Sequence, residues 1–212
     1  MYRILLFAVL ATIGIDARGA ITTTIDFDDL SQSGDVATPL ATYSFDGYTF
    51  DNDTASTLRF ETYGDMHENY AGTTALSPKQ VNSITTLSRS DTTEFDLISI
   101  DIARLSPSVN DPPTPVTFTD MTFIGVLAGG GTVTNKFTFT VNDNEFEELT
   151  FSGFSSVTSV SWGQNSPFHQ FDNVVVQVTA VPEPTSLAFL AVGFGVMGVR
   201  RVRSKRFANA LA

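Results

Sequence analysis

Apolar and polar side chains alternate with a period of two along much of this chain, and only an extended strand puts every second residue on one face. Phe137, Phe139 and Val141 stand against Lys136, Thr138 and Thr140, and Ile98, Ile100 and Ile102 against Ser99 and Asp101. Threonine, phenylalanine and valine dominate, residues that fit a pleated, half-buried surface. The expected strands are Thr22–Phe27, Tyr43–Phe50 with a hairpin turn at Asp46-Gly47, Leu58–Tyr63, Ser83–Leu87, Phe95–Ile102, Val116–Leu127, Thr132–Val141, Glu147–Phe151, Val157–Trp162 and Asp172–Thr179. Asn110-Asp111-Pro112-Pro113, Gly129-Gly130-Gly131, Asn142-Asp143-Asn144 and Asn165-Ser166-Pro167 punctuate them as turns. Short strands at this spacing imply an all-β antiparallel β-sandwich or barrel, with a jelly roll as the favoured version. Asp65–Lys79 is the least strand-like stretch and is expected to form a long connection over one end.

Composition narrows the chemistry. The chain has no cysteine, so the core alone holds the fold, and thiol chemistry, haem attachment and cysteine-ligated metals are excluded. Residues 20–180 hold 21 acidic and five basic side chains, a net charge of −16. Such a body repels nucleic acid and anionic lipid and favours divalent cations, neutral sugars or cationic partners. The same acidity also serves solubility. Thr-x-Thr pairs such as Thr22/Thr24 and Thr138/Thr140 recur at irregular separations, so they read as the solvent side of ordinary strands rather than as a lattice-matched array.

The two ends differ from this body. Tyr2-Arg3 precede an apolar run from Ile4 to Ile15, and small residues follow at Ala17 and Gly19. This is the layout of a signal peptide over residues 1–19; a retained N-terminal anchor is the alternative. Residues 181–212 begin with Val181 and the motif Pro182-Glu183-Pro184, continue as a charge-free run from Thr185 to Val199, and then carry Arg200, Arg201, Arg203, Lys205 and Arg206. The prolines keep an extended peptide outside any helix or strand. The apolar run is shorter than the ~20 residues of a relaxed spanning helix, but the basic cluster behind it resists translocation and marks a cytoplasmic end. This order resembles the PEP-CTERM sorting signal of Gram-negative bacteria, which exosortase-type membrane proteases are thought to recognise. The resemblance implies an exported protein, anchored in the inner membrane before processing and afterwards periplasmic, surface-bound or extracellular. The tail beyond Arg206 is longer than that pattern usually carries.

Candidate sites lie in the body. Phe171-Asp172-Asn173 followed by Val174-Val175-Val176 resembles the closing strand of several jelly-roll carbohydrate-binding modules. That resemblance implies a structural calcium ion held by Asp172, with Asp26 or Asp28 of the opening strand as partners. Alternation places Asp26 and Asp28 on one side of that strand and Phe27 on the other, and Ca²⁺ accepts 6–8 oxygens of this kind. Hydrogen bonding at a strand entry is the alternative for Asp172 and Asn173. Asp51-Asn52-Asp53 opens like an EF-hand loop, but Ser56 and Thr62 occupy the positions that need Gly and Glu.

Sugar stacking needs exposed aromatics. Trp162, the lone tryptophan, and His169 are the candidates for glycan contact, with Tyr48, Tyr63 and Tyr70 beside them; core packing of Trp162 against Phe151, Phe154 and Phe171 is the favoured reading for that residue. Asp26-Phe27-Asp28-Asp29-Leu30-Ser31 and Glu145-Phe146-Glu147-Glu148-Leu149-Thr150 each lack the last carboxylate of the laminarinase-type Glu-x-Asp-x-x-Glu motif. The expected function is therefore a non-enzymatic, exported sandwich associated with extracellular polysaccharide. A structural or adhesive envelope protein is the alternative, and a divergent glycoside hydrolase a remote one.

Overall fold

In the computed structural model the alternating segments become strands: β1 (Ile21–Ile25), β2 (Ala37–Leu40), β3 (Tyr43–Phe45), β4 (Tyr48–Asn52), β5 (Phe60–Tyr63), β6 (Ser77–Pro78), β7 (Ile84–Arg89), β8 (Asp96–Arg104), β9 (Val116–Leu127), β10 (Thr132–Val141), β11 (Phe146–Thr150), β12 (Val157–Gly163) and β13 (His169–Val178). The structure describes residues 20–105, 116–142, 144–164 and 168–178. The expected signal peptide over 1–19 and the expected sorting signal over 181–212, with its Pro-Glu-Pro motif, apolar run and basic cluster, lie outside the described residues. Among the described residues no helix is long and apolar enough to cross a membrane.

The strands form antiparallel sheets: four-stranded in the order β1-β13-β8-β11, six-stranded in the order β10-β9-β12-β7-β4-β3, and three-stranded in the order β2-β5-β6. The turn at Asp46-Gly47 forms as expected, with φ of 47° and 80°, the positive pair that a tight hairpin needs. Of the small third sheet only β5 was legible, within the expected Leu58–Tyr63; β2 and β6 were not. Pro39 and Pro78 sit in β2 and β6, and proline reads as a strand breaker although it is tolerated on short edge strands.

The two larger sheets face each other across an aromatic core. Phe171 of β13 lies 5.5 Å from Phe50 of β4 and 5.1 Å from Trp162 of β12, centroid to centroid, and Phe27 meets Tyr43, Phe50 and Phe171 edge-on. Trp162 continues the chain of rings to Phe123 at 5.3 Å, and Phe123 to Phe151 at 4.9 Å. Each such pair adds roughly 0.5–1.5 kcal/mol beyond area burial, which stands in for absent disulfides. Gly125 is inward on β9 for a steric reason: a Cβ there would meet Val133 and Val157 methyls at 2.9 Å and the Phe154 ring at 3.1 Å.

A β-bulge breaks the simple alternation between β8 and β13. Asp172 pairs with Asp101 and Val175 with Ser99, so Asn173 and Val174 together stand against Ile100. Asn173 takes φ of 46°, a left-handed conformation that asparagine tolerates. Val176 then pairs with Leu97, which leaves Ile98 as an extra residue. The expectation that Ile98, Ile100 and Ile102 share one face is corrected accordingly: Ile98 is exposed, whereas Ser99, Ile100 and Ile102 are buried.

Asp65–Lys79 is a long connection with a definite docking point. Leu76 exchanges both backbone hydrogen bonds with Phe171, at 2.9 and 3.0 Å, on an edge of β13 that β1 leaves free. Gln170 Nε2 donates to the Asn69 carbonyl at 2.9 Å. This strap covers the first half of β13, so that four successive residues, His169 to Asp172, are buried.

The outer face of the six-stranded sheet has a different composition. Register sets Thr134, Ile124, Ser161, Thr86 and Asp51 side by side across β10, β9, β12, β7 and β4. The neighbouring row reads Thr132, Val126, Ser159, Ser88, Thr49 and Ser44. Asp51 is the one charged residue in these two rows, and Arg59 pairs with it.

Candidate cation site

The site starts from strand pairing. β1 runs antiparallel to β13, with Ile25 opposite Val174, so the first and last strands of the body lie side by side. Phe27, with φ of 56°, ends the strand geometry, and Asp28–Leu30 form a short 3-10 turn. The expected alternation of Asp26 and Asp28 on one strand face is thus corrected: β1 stops at Ile25. The Asp26 carboxylate instead accepts from the Asp28 N–H at 3.3 Å.

Phe171 points into the core, so its neighbour Asp172 faces the other side of the sheet, beneath the strap. Asp172 is 0% exposed. One carboxylate oxygen accepts the Asn173 N–H at 2.7 Å, and the other, Oδ2, is buried without a hydrogen-bond partner. Burial pushes this carboxyl up to about 7, and the charges of Asp101 and Asp28 add to the rise, against hydrogen bonds from the Asn173 backbone and the Thr73 side chain. The structure therefore brings Asp28 within electrostatic reach of Asp172. Asp26 acts elsewhere: its charge, with that of Asp29, helps to hold the Tyr43 hydroxyl above its ordinary range, after burial and the Asp29 hydrogen bond.

Asp101 and Glu148 were not found from the sequence. Asp172 pairs with Asp101, and Asp101 with Glu148 across β8 and β11, which makes a row of three carboxylates on adjacent strands. Directly opposed like charges destabilise a sheet. Asn173 Nδ2 answers part of this by donating to Asp101 at 2.9 Å, while the Asp172 oxygen stays unanswered. Among the described residues no group of three His, Cys, Asp or Glu side chains gathers closely enough to hold a metal by itself. A cation here would have to draw on hydroxyl, amide and backbone oxygens as well, a ligand set of the calcium kind rather than the zinc kind. The orphaned Asp172 oxygen and the neighbouring carboxylates are oxygen ligands of the kind that calcium takes.

Of the two readings of Trp162, core packing is the one the structure shows, and the candidate glycan contacts at Trp162 and His169 are corrected. Trp162 is 2% exposed and His169 is 1% exposed. Trp162 packs between Phe123 and Phe171, so neither residue offers a face to a ligand. Burial holds the His169 imidazole down to about 3, so it is neutral at ordinary pH. Chain position was no guide here: a strand opening into a loop reads alike whether its aromatic points in or out.

No protein-family model matches the chain, and no curated protein matches it. Among solved structures, the chain is similar to a mutant of CBM29-2, a family 29 carbohydrate-binding module, at 11% identity over 75% of this chain and 92% of that one, TM-score 0.38. A second CBM29-2 mutant is similar at 9% identity, over 77% and 96%, TM-score 0.39. A third similarity is to the family 32 module from C. perfringens NanJ in complex with galactose, at 11% identity over 67% and 98%, TM-score 0.36. At these scores the likeness is distant, and the site stands on its own residues.

Proposed function

We propose that this chain is an exported PEP-CTERM protein whose jelly-roll body associates with extracellular polysaccharide without catalysing a reaction, and that a structural Ca²⁺ at Asp172 holds its first strand, last strand and strap together. The observation that carries the calcium reading is the buried Asp172 oxygen without a partner, at the end of a row of carboxylates. Asp172, with Asp101 or Asp28 and the Thr73 hydroxyl, would hold the ion, with backbone oxygens completing the shell. When bound, it supplies positive charge that offsets their mutual repulsion. The polysaccharide reading is supported by the body's net charge of −16, which disfavours nucleic acid and anionic lipid and leaves neutral polymers. The export reading is supported by the two chain ends: a signal peptide, then Pro182-Glu183-Pro184 for an exosortase-type protease, an apolar run for the inner membrane and a basic cytoplasmic tail.

Two measurements test this. Co-sedimentation of the purified full chain with exopolysaccharide, in calcium and in EDTA, is expected to be stronger in calcium; none in either buffer points instead to a purely structural envelope role. Mass spectrometry of the surface-associated form is expected to find no peptide beyond Pro184. Recovery of peptides spanning Arg200 to Arg206 from that form identifies the segment as an ordinary anchor.

A further inference from the structure

We infer that the outer face of the six-stranded sheet is the polysaccharide-binding surface, and that its ligand is a neutral polymer; this rests on the reading that the body binds polysaccharide. Trp162 and His169 are buried and form no aromatic platform. The rows through Ile124 and Val126 are the alternative that the fold provides. Threonine and serine hydroxyls recur across neighbouring strands, spaced by about 4.8 Å, the distance between paired strands. Exposed aliphatic side chains lie among them: Ile84, Ile124 and Val126 are 45%, 41% and 42% exposed.

Charge selects the occupant. The body carries −16, yet the only charge in these rows, Asp51, is already paired with Arg59. An anionic polymer would meet the field of the whole body, and a cationic one would find its complement on the opposite sheet, at the carboxylate row. A neutral glycan presents hydroxyls and C–H surfaces, and this face offers partners for both without requiring an unpaired charge to be desolvated. Ser161 and Thr86 lie side by side at the middle of the row, where a bound chain would be least accessible to water.

The test is native affinity electrophoresis of the purified full chain, in calcium, through gels containing dextran or glucomannan (neutral), alginate (anionic) or chitosan (cationic). Retardation is expected in a neutral polymer and not in alginate. Ser161→Glu and Thr86→Glu are each expected to weaken that retardation about tenfold or more, since each buries a charge against an uncharged ligand. Val126→Glu, at a more exposed position, provides a variant that folds if the others do not. Retardation by a neutral polymer that survives all three substitutions overturns this surface while leaving polysaccharide binding intact. Retardation in chitosan alone, or in alginate, overturns the neutral ligand class. Unchanged migration in every gel overturns both readings, and a dimer broken by the same substitutions assigns the face to a second copy of the chain.

Discussion

On the outside of the four-stranded sheet, register lines up Asp172, Asp101 and Glu148; on the outside of the six-stranded sheet it lines up Ile124, Ser161 and Thr86. The strand geometry is the same in both rows, and both are mounted on one aromatic core. What differs is the chemistry left unanswered. The first row concentrates negative charge and buries one end of it under the strap. The second holds a single charge, Asp51, already paired with Arg59, and leaves apolar and hydroxyl groups in solvent. A sheet face so loaded with carboxylate is stabilised by a counter-charge or a proton, whereas a neutral face needs neither. One face is thus suited to an ion and the other to an uncharged ligand.

The strongest way to break this contrast is to damage the core that both faces share. Trp162→Ala should cost about 3–5 kcal/mol, seen as a lower denaturation midpoint, with both calcium response and polymer binding degraded together. Loss of polymer binding with an unchanged midpoint would mean that Trp162 contacts ligand after all.

The next effect separates the faces by pH. The Asp172 carboxyl sits at about 7 in the folded protein against an ordinary value of 3.8, so the fold binds this proton more tightly than the unfolded chain. Its contribution is favourable at low pH, declines as pH rises from about 4 to about 7, and is a full penalty above that. In EDTA at pH 8, Asp172→Asn should therefore raise stability, on the order of 2–4 kcal/mol. The gain should shrink toward zero at pH 4, as followed by thermal melts. Thr86→Val, on the neutral face, should show no such pH dependence.

Calcium sharpens the same contrast. An ion that binds only the native state at a hundredfold excess over Kd stabilises by about 2.7 kcal/mol, which raises Tm by roughly 5–10 °C for a body of this size. Asp172→Asn should remove most of that increment, and equal melting points in calcium and EDTA would sink the site. The smallest effect belongs to the exposed end of the row: Glu148→Gln should stabilise the calcium-free protein by only about 0.2–1 kcal/mol.

Much of this fold was legible in the sequence because alternation is a local property. β9 and β10 occupy the stretches that their periodicity marks, Val116–Leu127 and Thr132–Val141. Asp172 was visible too, since an Asp-Asn pair before a β-branched run is conspicuous. Its partners were not. Asp101 and Glu148 reach it through strand register, and nothing in the local pattern around Asp101 says which distant strand it will face. Ile98 was misread for a related reason, because a bulge in the pairing with β13 shifts the phase of β8. For Trp162 and His169 the sequence marked positions near a loop, but burial depended on the strap and on rings from β9 and β13, which are distant along the chain.

The central position of β13 has a temporal consequence. This strand lies between β1 and β8 and also anchors the strap through Leu76, yet among the described strands it is the last to be synthesised. Until β13 is available, β1 has no neighbour, the strap lacks its contacts with Gln170 and Phe171, and Phe27 and Trp162 lack the Phe171 ring between them. Contacts that join the two ends of a chain form slowly because the closure entropy comes first. The body must therefore remain unfinished until its final residues emerge, and in a chain exported as proposed that delay would keep it threadable through the membrane until the sorting signal follows.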